Sequence, residues 1–130
     1  LRIIHYPPFI GHEDAHSLRA AAHEDINLIT LLVAGTKPGL EAQDKNGNWH
    51  KISTDPGTII VNVGDMLKEA SGGFYPSTKH RVVNPTSKSD NSSRYSMPLF
   101  LHPRDDVRLS KHYTAKTYLK ERLLEIGLKS

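Results

Sequence analysis

The stretch that decides the fold reads Ala22-His23-Glu24-Asp25 and continues into a nearly uninterrupted apolar segment at residues 27–34 (NLITLLVA). A short run rich in Ile, Leu and Val predicts a strand that is buried on both faces. If the residues before it are also extended, His23 and Asp25 point to the same side, because successive strand residues alternate between faces. An imidazole and a carboxylate then converge on one side, and Glu24 faces away.

His23 and Asp25 cannot close a metal site by themselves, so a third ligand has to return from elsewhere in the chain. The candidate is His80, which stands in the segment 79–82 (KHRV). Two histidines and one carboxylate are the ligands of the facial triad in non-haem Fe(II) oxygenases, which leaves coordination positions open for substrate and O₂. The chain between Asp25 and His80 has room for about four short strands, so the spacing permits this return but does not prove it.

The composition indicates a single domain, residues 1–130, with a hydrophobic core and no cysteine. The lack of cysteine excludes disulfides, thiolate nucleophiles and Cys-rich zinc sites, and it fits a reducing compartment. The formal net charge is +3 and the Lys and Arg residues are scattered, which gives nucleic acid binding little support. No apolar run approaches the roughly 20 residues of a membrane span, and no signal peptide is visible. We therefore expect a cytoplasmic protein with a small-molecule substrate and with neither a nucleic acid nor a membrane partner.

Most of the chain can be interpreted as short strands separated by turns. The predicted strands lie at residues 1–6, 27–34, 40–43, 49–52, 58–63, 80–83 and 94–101, and residues 19–23 form either a strand or a helical turn. Asn46-Gly47 is a strong hairpin signal between two of these strands, and Pro98 suggests an edge strand or a bulge. About eight short strands predict a sandwich, a jelly roll or a barrel.

Two helical segments complete the prediction, a single turn at residues 66–70 and a C-terminal helix at residues 115–128. The longer helix carries apolar residues at helical spacing on one face, namely Ala115, Tyr118, Leu119, Leu123 and Ile126. Trp49 and the apolar strand residues are expected to form the core.

Seven short motifs follow one another along residues 1–101 in an order that is more specific than any one of them. They are His23-Glu24-Asp25 with Leu28, Thr30 and Leu31; Pro38-Gly39-Leu40; Trp49; Asn62-Val63-Gly64-Asp65; Ser71 with Gly73; His80-Arg81-Val82; and Arg94-Tyr95-Ser96. As an ordered set they resemble the isopenicillin N synthase-like branch of the 2-oxoglutarate/Fe(II)-dependent dioxygenases.

The resemblance implies an all-β core, a double-stranded β-helix (jelly roll) of about eight short strands with a C-terminal α-helix. It implies that His23, Asp25 and His80 bind Fe(II), with 2-oxoglutarate as co-substrate and O₂ as oxidant. It further implies that Arg94 and Ser96 hold the distal carboxylate of 2-oxoglutarate. This role is chemically reasonable, because residues two apart on a strand share a face and a guanidinium suits a carboxylate.

Tyr6 aligns with a family tyrosine near the co-substrate, so it is a further candidate for binding 2-oxoglutarate. The reaction implied is the oxidative decarboxylation of 2-oxoglutarate to succinate, coupled to hydroxylation, desaturation or ring closure of a small-molecule substrate. Family members usually carry a sizeable N-terminal region that helps to cover the pocket, and we expect this chain to lack that region. Some members of the family do not use 2-oxoglutarate.

A rival motif lies at residues 12–16, which read His-Glu-Asp-Ala-His and match the H-E-x-x-H signature of zinc metallopeptidases. That chemistry needs a helix, so that His12 and His16 share a face and Glu13 acts as the base. Two prolines and a glycine just upstream disfavour such a helix. The alternatives to an oxygenase are therefore a zinc metallopeptidase of this kind and a non-catalytic jelly-roll module that binds a ligand.

Overall fold

The computed structural model describes residues 1–10, 17–33, 36–53, 55–87 and 90–128. Within these residues there are nine strands and two helices, close to the predicted number. In chain order they are β1 (Ile4–Tyr6), β2 (Ala20–His23), β3 (Ile29–Val33), β4 (Leu40–Gln43), β5 (Trp49–Lys51), β6 (Ile59–Val63), α1 (Asp65–Ala70), β7 (His80–Val82), β8 (Arg94–Ser96), β9 (Pro98–Leu101) and α2 (Ala115–Glu125). Neither helix is long and apolar enough to cross a membrane.

The strands form three antiparallel sheets in which most neighbours are distant in sequence. The strand orders are β1-β8, β2-β7-β4-β5 and β6-β3-β9. In the described part of the chain, only β4 and β5 are consecutive strands that pair with each other. Antiparallel strands that return beside partners from distant parts of the chain are typical of a jelly roll. The predicted all-β jelly roll with a C-terminal helix is therefore confirmed.

The apolar segment that follows Asp25 forms β3, the central strand of its sheet. One side of β3, which includes Thr30 and Leu32, faces a cavity between the sheets. The prediction that this strand is buried on both faces is wrong, because the other side of the sheet is an aliphatic surface open to solvent. The exposed members of this outer aliphatic face are Val33, Ile59, Val61, Leu99 and Leu101.

The single strand predicted at residues 94–101 is two strands in the structure. β8 pairs with β1, whereas β9 pairs with β3, so the chain passes from one sheet to another at Met97. Pro98 is the first residue of β9, which lies at the edge of its sheet. A proline is tolerated there because an edge strand does not need every N–H for pairing. The edge position that Pro98 suggested is confirmed.

Helix α2 has a capped N-terminus and ends earlier than predicted. The Thr114 hydroxyl accepts from the N–H of Thr117 at 3.3 Å, and the Thr117 hydroxyl accepts from the N–H of Thr114 at 2.9 Å. Ile126 was expected on the apolar face, but it follows the last helical residue and is 62% exposed. The helix ends there because Gly127 has a φ of 81°, a left-handed conformation common after helix C-termini.

The main buried hydrophobic cluster lies under the two helices and not between the sheets. Its members are Met66, Leu109, Ala115 and Tyr118. Ile26 and Leu28 pack against this cluster. These two residues flank Asn27 in the loop after Asp25, so the helices help to fix the segment that carries this carboxylate.

The predicted hairpin of β4 and β5 is confirmed, but Trp49 is only partly buried and not part of the core. Arg81 lies on β7, on the other side of β4 from β5. Its guanidinium lies over the Trp49 ring, 4.1 Å from the ring centroid. Its Nε and Nη2 atoms each lie 2.8 Å from Oε2 of the buried Glu41. The ion pair attaches β7 to β4, and the stacking attaches β7 to β5. These contacts help to hold β7, which carries His80.

Arg81→Lys is expected to lower the free energy of unfolding by about 1 kcal/mol. An ammonium keeps the charge, but it cannot stack flat on Trp49 while it contacts Glu41 through two nitrogens. Urea titration measures the difference. Arg104→Lys is the control, since Arg104 pairs with Asp106 where both side chains are exposed, and such pairs contribute little. Equal losses in the two variants would contradict the stabilising role of Arg81.

Candidate metal centre

The structure brings the three predicted metal ligands together. His23 ends β2, His80 begins β7, and these residues are direct partners in the antiparallel pairing of the two strands. Asp25 lies two residues beyond the end of β2, so it approaches the histidines from a loop and not from the strand face that the spacing suggested. One donor atom from each residue lies within 4.8 Å of the other two.

An irregularity in β2 helps to aim His23. The pairing passes from Ala20 with Val82 to His23 with His80, so this stretch of β2 contains one residue more than the matching stretch of β7. A bulge of this kind bends the strand and redirects a side chain, and bulges are frequent beside functional sites.

Both imidazole rings are held with Nε2 towards Asp25. Nδ1 of His23 lies 2.8 Å from the carbonyl oxygen of Ala21, and Nδ1 of His80 lies 3.0 Å from that of Thr78. Because a carbonyl oxygen only accepts hydrogen bonds, each Nδ1 is the donor, and in the neutral tautomer with this proton the lone pair lies on Nε2. The Nε2 atoms lie 3.7 and 3.9 Å from Oδ1 of Asp25, which is too far for hydrogen bonds.

The other carboxylate oxygen of Asp25 is already occupied. Its Oδ2 accepts from the Thr30 hydroxyl at 2.6 Å and from the Asn62 amide at 3.1 Å. The Thr30 hydroxyl in turn accepts from the Asn27 amide at 2.8 Å. Since Asp25 is buried, its carboxylate oxygens need hydrogen-bond donors, and Thr30 and Asn62 supply two of them. Oδ1 is the carboxylate oxygen that faces Nε2 of both histidines.

The sequence prediction assigned no role to Thr30, Asn62 or Asn27. A signal for the first two was present, because Thr30 is the only polar residue of β3 and Asn62 is the only polar residue of β6. They lie opposite each other in the antiparallel register. A lone polar residue on the inner side of an aliphatic strand needs a hydrogen-bond partner, and for both residues that partner is Asp25.

The loop that carries Asp25 is bound along its length to the end of β6 and the start of α1. Three backbone N–H groups donate to three carbonyls of this loop: Asp65 to Asp25 at 2.8 Å, Met66 to Asn27 at 3.1 Å and Gly64 to Leu28 at 2.9 Å. Backbone hydrogen bonds of this kind fix the path of the loop, and with it the position of the carboxylate.

The three ligands line a cavity of about 220 Å³ together with the residues expected to hold the co-substrate, Tyr6, Arg94 and Ser96. Arg94 and Ser96 are buried, whereas Tyr95 between them is exposed, which is the alternation expected on a strand. The Arg94 guanidinium lies over the Tyr6 ring at 5.4 Å from its centroid. Most of the remaining wall is apolar, including Ile4, Leu32, Leu40, Ile60, Val82 and Phe100.

Arg94 carries a buried positive charge with no carboxylate paired to it among the described residues. Arg94 is 1% exposed, its Nε donates to the Lys37 carbonyl at 3.1 Å, and its buried Nη1 has no hydrogen-bond partner. Burial lowers the pKa of Arg94, and the neighbouring Tyr6 opposes this shift. The guanidinium stays protonated all the same. This end of the cavity therefore favours an anion that accepts a hydrogen bond from Nη1.

The donor set suits a divalent transition metal. Two neutral imidazoles and one carboxylate are ligands for non-haem Fe(II), and their placement on one side of an ion leaves other positions open. The His23 side chain is 49% exposed and that of His80 is 17% exposed, so solvent reaches the site from the side of His23. His12, Glu13 and His16 of the rival zinc motif lie outside the described residues.

Comparison with known sequences gives the same family along most of the chain. The model of the 2OG-Fe(II) oxygenase superfamily matches residues 1–103. A 2-oxoglutarate-dependent dioxygenase of Didymella fabae is 34% identical over 85% of this chain and 34% of its own length. Clavatol oxidase of Penicillium crustosum is 39% identical over 84% of this chain and 32% of its own length. The chain thus spans about a third of the length of these relatives.

Comparison with solved structures gives the same family as comparison with known sequences. A candidate oxygenase from Shewanella oneidensis superposes with a TM-score of 0.85 and 55% identity, over 96% of this chain and 46% of that chain. A full-length Neurospora crassa protein, solved in complex with α-ketoglutarate, superposes with a TM-score of 0.81 and 27% identity, over 95% of this chain and 43% of that chain. The match over residues 1–103 and the similarity to these relatives show that the chain belongs to the 2OG-Fe(II) oxygenase superfamily.

Proposed function

We propose that this chain forms the catalytic core of a non-haem Fe(II) oxygenase that couples the decarboxylation of 2-oxoglutarate to the oxidation of a small molecule. The metal ligands are Nε2 of His23, Oδ1 of Asp25 and Nε2 of His80. One observation carries the proposal. A single cavity joins three converging donor atoms to the buried Arg94 guanidinium, whose Nη1 lacks a partner.

Arg94, Ser96 and Tyr6 bind 2-oxoglutarate in this proposal. The distal carboxylate accepts from Nη1 of Arg94 and from the Ser96 hydroxyl, both of which face the cavity from β8. The Tyr6 ring packs against the guanidinium and narrows this end of the cavity. The positive charge of the buried Arg94 then has an anionic partner, and charge-assisted hydrogen bonds of this kind are strong.

Bound Fe(II) supplies the redox chemistry that activates O₂. The overall reaction consumes 2-oxoglutarate, O₂ and substrate, and it releases succinate, CO₂ and the oxidised product. The protein orients the reactants and excludes water. The apolar walls around the triad limit the polar contacts that the substrate can make, which restricts its orientation. They also disfavour water next to the metal. We propose a small-molecule substrate because the cavity measures about 220 Å³, and a cytoplasmic location because a chain without cysteine fits a reducing compartment.

Arg94→Lys is expected to weaken 2-oxoglutarate binding about tenfold, or 1.4 kcal/mol. The ammonium keeps the charge but loses the planar, two-pronged donor geometry, and hydrogen bonds to charged groups contribute roughly 1.5–3 kcal/mol. Fe(II) affinity should change little, because Arg94 is not a ligand. Anaerobic titration of the Fe(II) protein with 2-oxoglutarate, followed by the metal-to-ligand absorption band, measures both quantities.

Arg108→Lys is the matched control for this titration, since Arg108 is exposed and does not line the cavity. It should titrate like the wild type. If Arg94→Lys also titrates like the wild type, another group holds the distal carboxylate. If the wild type shows no such band on addition of 2-oxoglutarate, the proposed co-substrate is wrong.

A further inference from the structure

We propose that Thr30, supported by Asn62, is a positioning residue that makes Asp25 bind the metal through one oxygen only. This inference rests on the proposed function, because it concerns the way in which the proposed ligand is presented. It adds a task for two residues that are not themselves proposed ligands; of these, Asn62 also lies with its amide 3.4 Å from Nδ1 of His80.

The first step is that Oδ2 of Asp25 has no capacity left for a metal. It accepts two hydrogen bonds, at 2.6 Å from the Thr30 hydroxyl and at 3.1 Å from the Asn62 amide. The 2.6 Å bond is short, as expected when a hydroxyl donates to an ionised carboxylate. The two donors approach from neighbouring strands. Withdrawal of Oδ2 would leave the hydroxyl hydrogen of the buried Thr30 without an acceptor, and the Asn62 amide would keep only its 3.4 Å contact with Nδ1 of His80.

The second step is that the Thr30 hydroxyl can donate only to Asp25. Its oxygen accepts from Nδ2 of Asn27 at 2.8 Å, so its single hydrogen is free for the carboxylate. Asn27 is 1% exposed. Its Oδ1 has no hydrogen-bond partner, and its Nδ2 is the atom that donates to Thr30. The amide, the hydroxyl and the carboxylate therefore form a directed chain, in which each bond polarises the next.

The third step is that these donors are fixed by the backbone. Thr30 and Asn62 are a cross-strand pair near the middle of the β3–β6 ladder. Asp25 is held from its other side, because its carbonyl accepts from the N–H of Asp65 at 2.8 Å. The carboxylate therefore cannot rotate without breaking hydrogen bonds, and Oδ1 remains the oxygen that faces the two imidazoles.

The consequence concerns the number of free coordination positions. Three protein donor atoms would leave the other coordination positions of the ion free for the co-substrate and O₂. A carboxylate that chelates through both of its oxygens would occupy one of these positions. By binding Oδ2, Thr30 and Asn62 thus keep this coordination position free.

The test compares Co(II) binding by the wild type, Thr30→Val and Thr30→Ser, with Co(II) alone as the probe. Val matches the shape of Thr but lacks the hydroxyl, whereas Ser retains it. Removal of a hydrogen bond that orients a ligand commonly weakens metal binding 10- to 100-fold, so we expect a loss in this range for Thr30→Val. The visible Co(II) spectrum should also change, because a second carboxylate oxygen would take a coordination position that is open to water in the wild type. Thr30→Ser should restore both the affinity and the spectrum.

A merely structural role for Thr30 would alter stability without this change in the spectrum, so urea unfolding is measured in parallel. If Thr30→Val does not fold, Asn62→Ala takes its place, and the same spectral change with a smaller loss of affinity is expected. A wild type that does not bind one Co(II) per chain would overturn the proposed function and this inference with it. A wild type that binds Co(II), with variants that share its affinity and spectrum, would overturn this inference alone.

Discussion

His80→Ala is expected to abolish stoichiometric Fe(II) binding and to leave the fold intact. The change removes the ligand that β7 is proposed to contribute, and the two remaining proposed donors are Asp25 and the half-exposed His23. Loss of an orienting residue already weakens metal sites 10- to 100-fold, so loss of a ligand should reduce affinity by about 100-fold or more. The backbone of His80 pairs with Ala42 and His23, and an alanine keeps this pairing. Metal content per chain and far-UV circular dichroism measure the two outcomes.

Two controls make this result specific. His50→Ala removes an exposed histidine whose Nε2 lies 2.8 Å from Asp44 on the β4–β5 hairpin, and it should not change the metal content. The double variant His12→Ala, His16→Ala removes the rival zinc motif and should also keep its metal. Loss of metal from the double variant, with retention in His80→Ala, would favour the metallopeptidase interpretation and refute the triad.

Gly64→Ala is expected to be among the most destabilising single substitutions in the chain, at about 3 kcal/mol or more. A Cβ at this position would overlap the carbonyl oxygen of Asn27, and that oxygen belongs to the backbone and cannot move aside cheaply. The same carbonyl accepts from the N–H of Met66 at 3.1 Å. The clash would therefore push the loop that carries Asp25 away from α1, so metal affinity should fall together with stability. Urea unfolding and Co(II) titration measure the two effects.

Gly57→Ala is the matched control. Gly57 has open space around its Cα but a φ of 83°, so alanine there incurs only the left-handed backbone strain of roughly 1–2 kcal/mol. It lies outside the site and should keep its metal affinity. A Gly64→Ala variant that is no less stable than Gly57→Ala would show that the loop adapts and that its attachment to α1 is looser than the hydrogen bonds indicate.

The proposed metal ligands could be predicted because their chemistry is visible in the residue types. His23 and Asp25 stand two apart before a strongly apolar strand, and the ordered motifs identified His80 as their partner. From spacing alone His80 was one histidine among several, because nothing local to it shows that β7 pairs with β2. That pairing is a long-range contact, and long-range contacts are not encoded in any short window of sequence.

The rest of the site depends on register, which the sequence did not reveal. Thr30 and Asn62 matter because they lie opposite each other, and the pairing of two aliphatic strands offers several registers until their polar residues are matched. The strand predicted at residues 94–101 divides at Met97 because its halves pair with different sheets, although β propensity continues through it. The outer aliphatic face was predicted as core because apolar composition indicates burial but cannot say which face is covered.

The separation of the helical cluster from the cavity has a consequence for the divergence of this protein. Met66, Leu109, Ala115 and Tyr118 supply buried contacts without contributing to the cavity wall. Residues such as Ile4, Leu32 and Phe100 line the cavity but stand apart from that cluster. Substitutions at Ile4, Leu32 and Phe100 would therefore change the shape of the cavity without removing a contact within the helical cluster. The shape of the cavity can thus diverge among related chains while the helical base and the residues proposed to hold the metal stay unchanged.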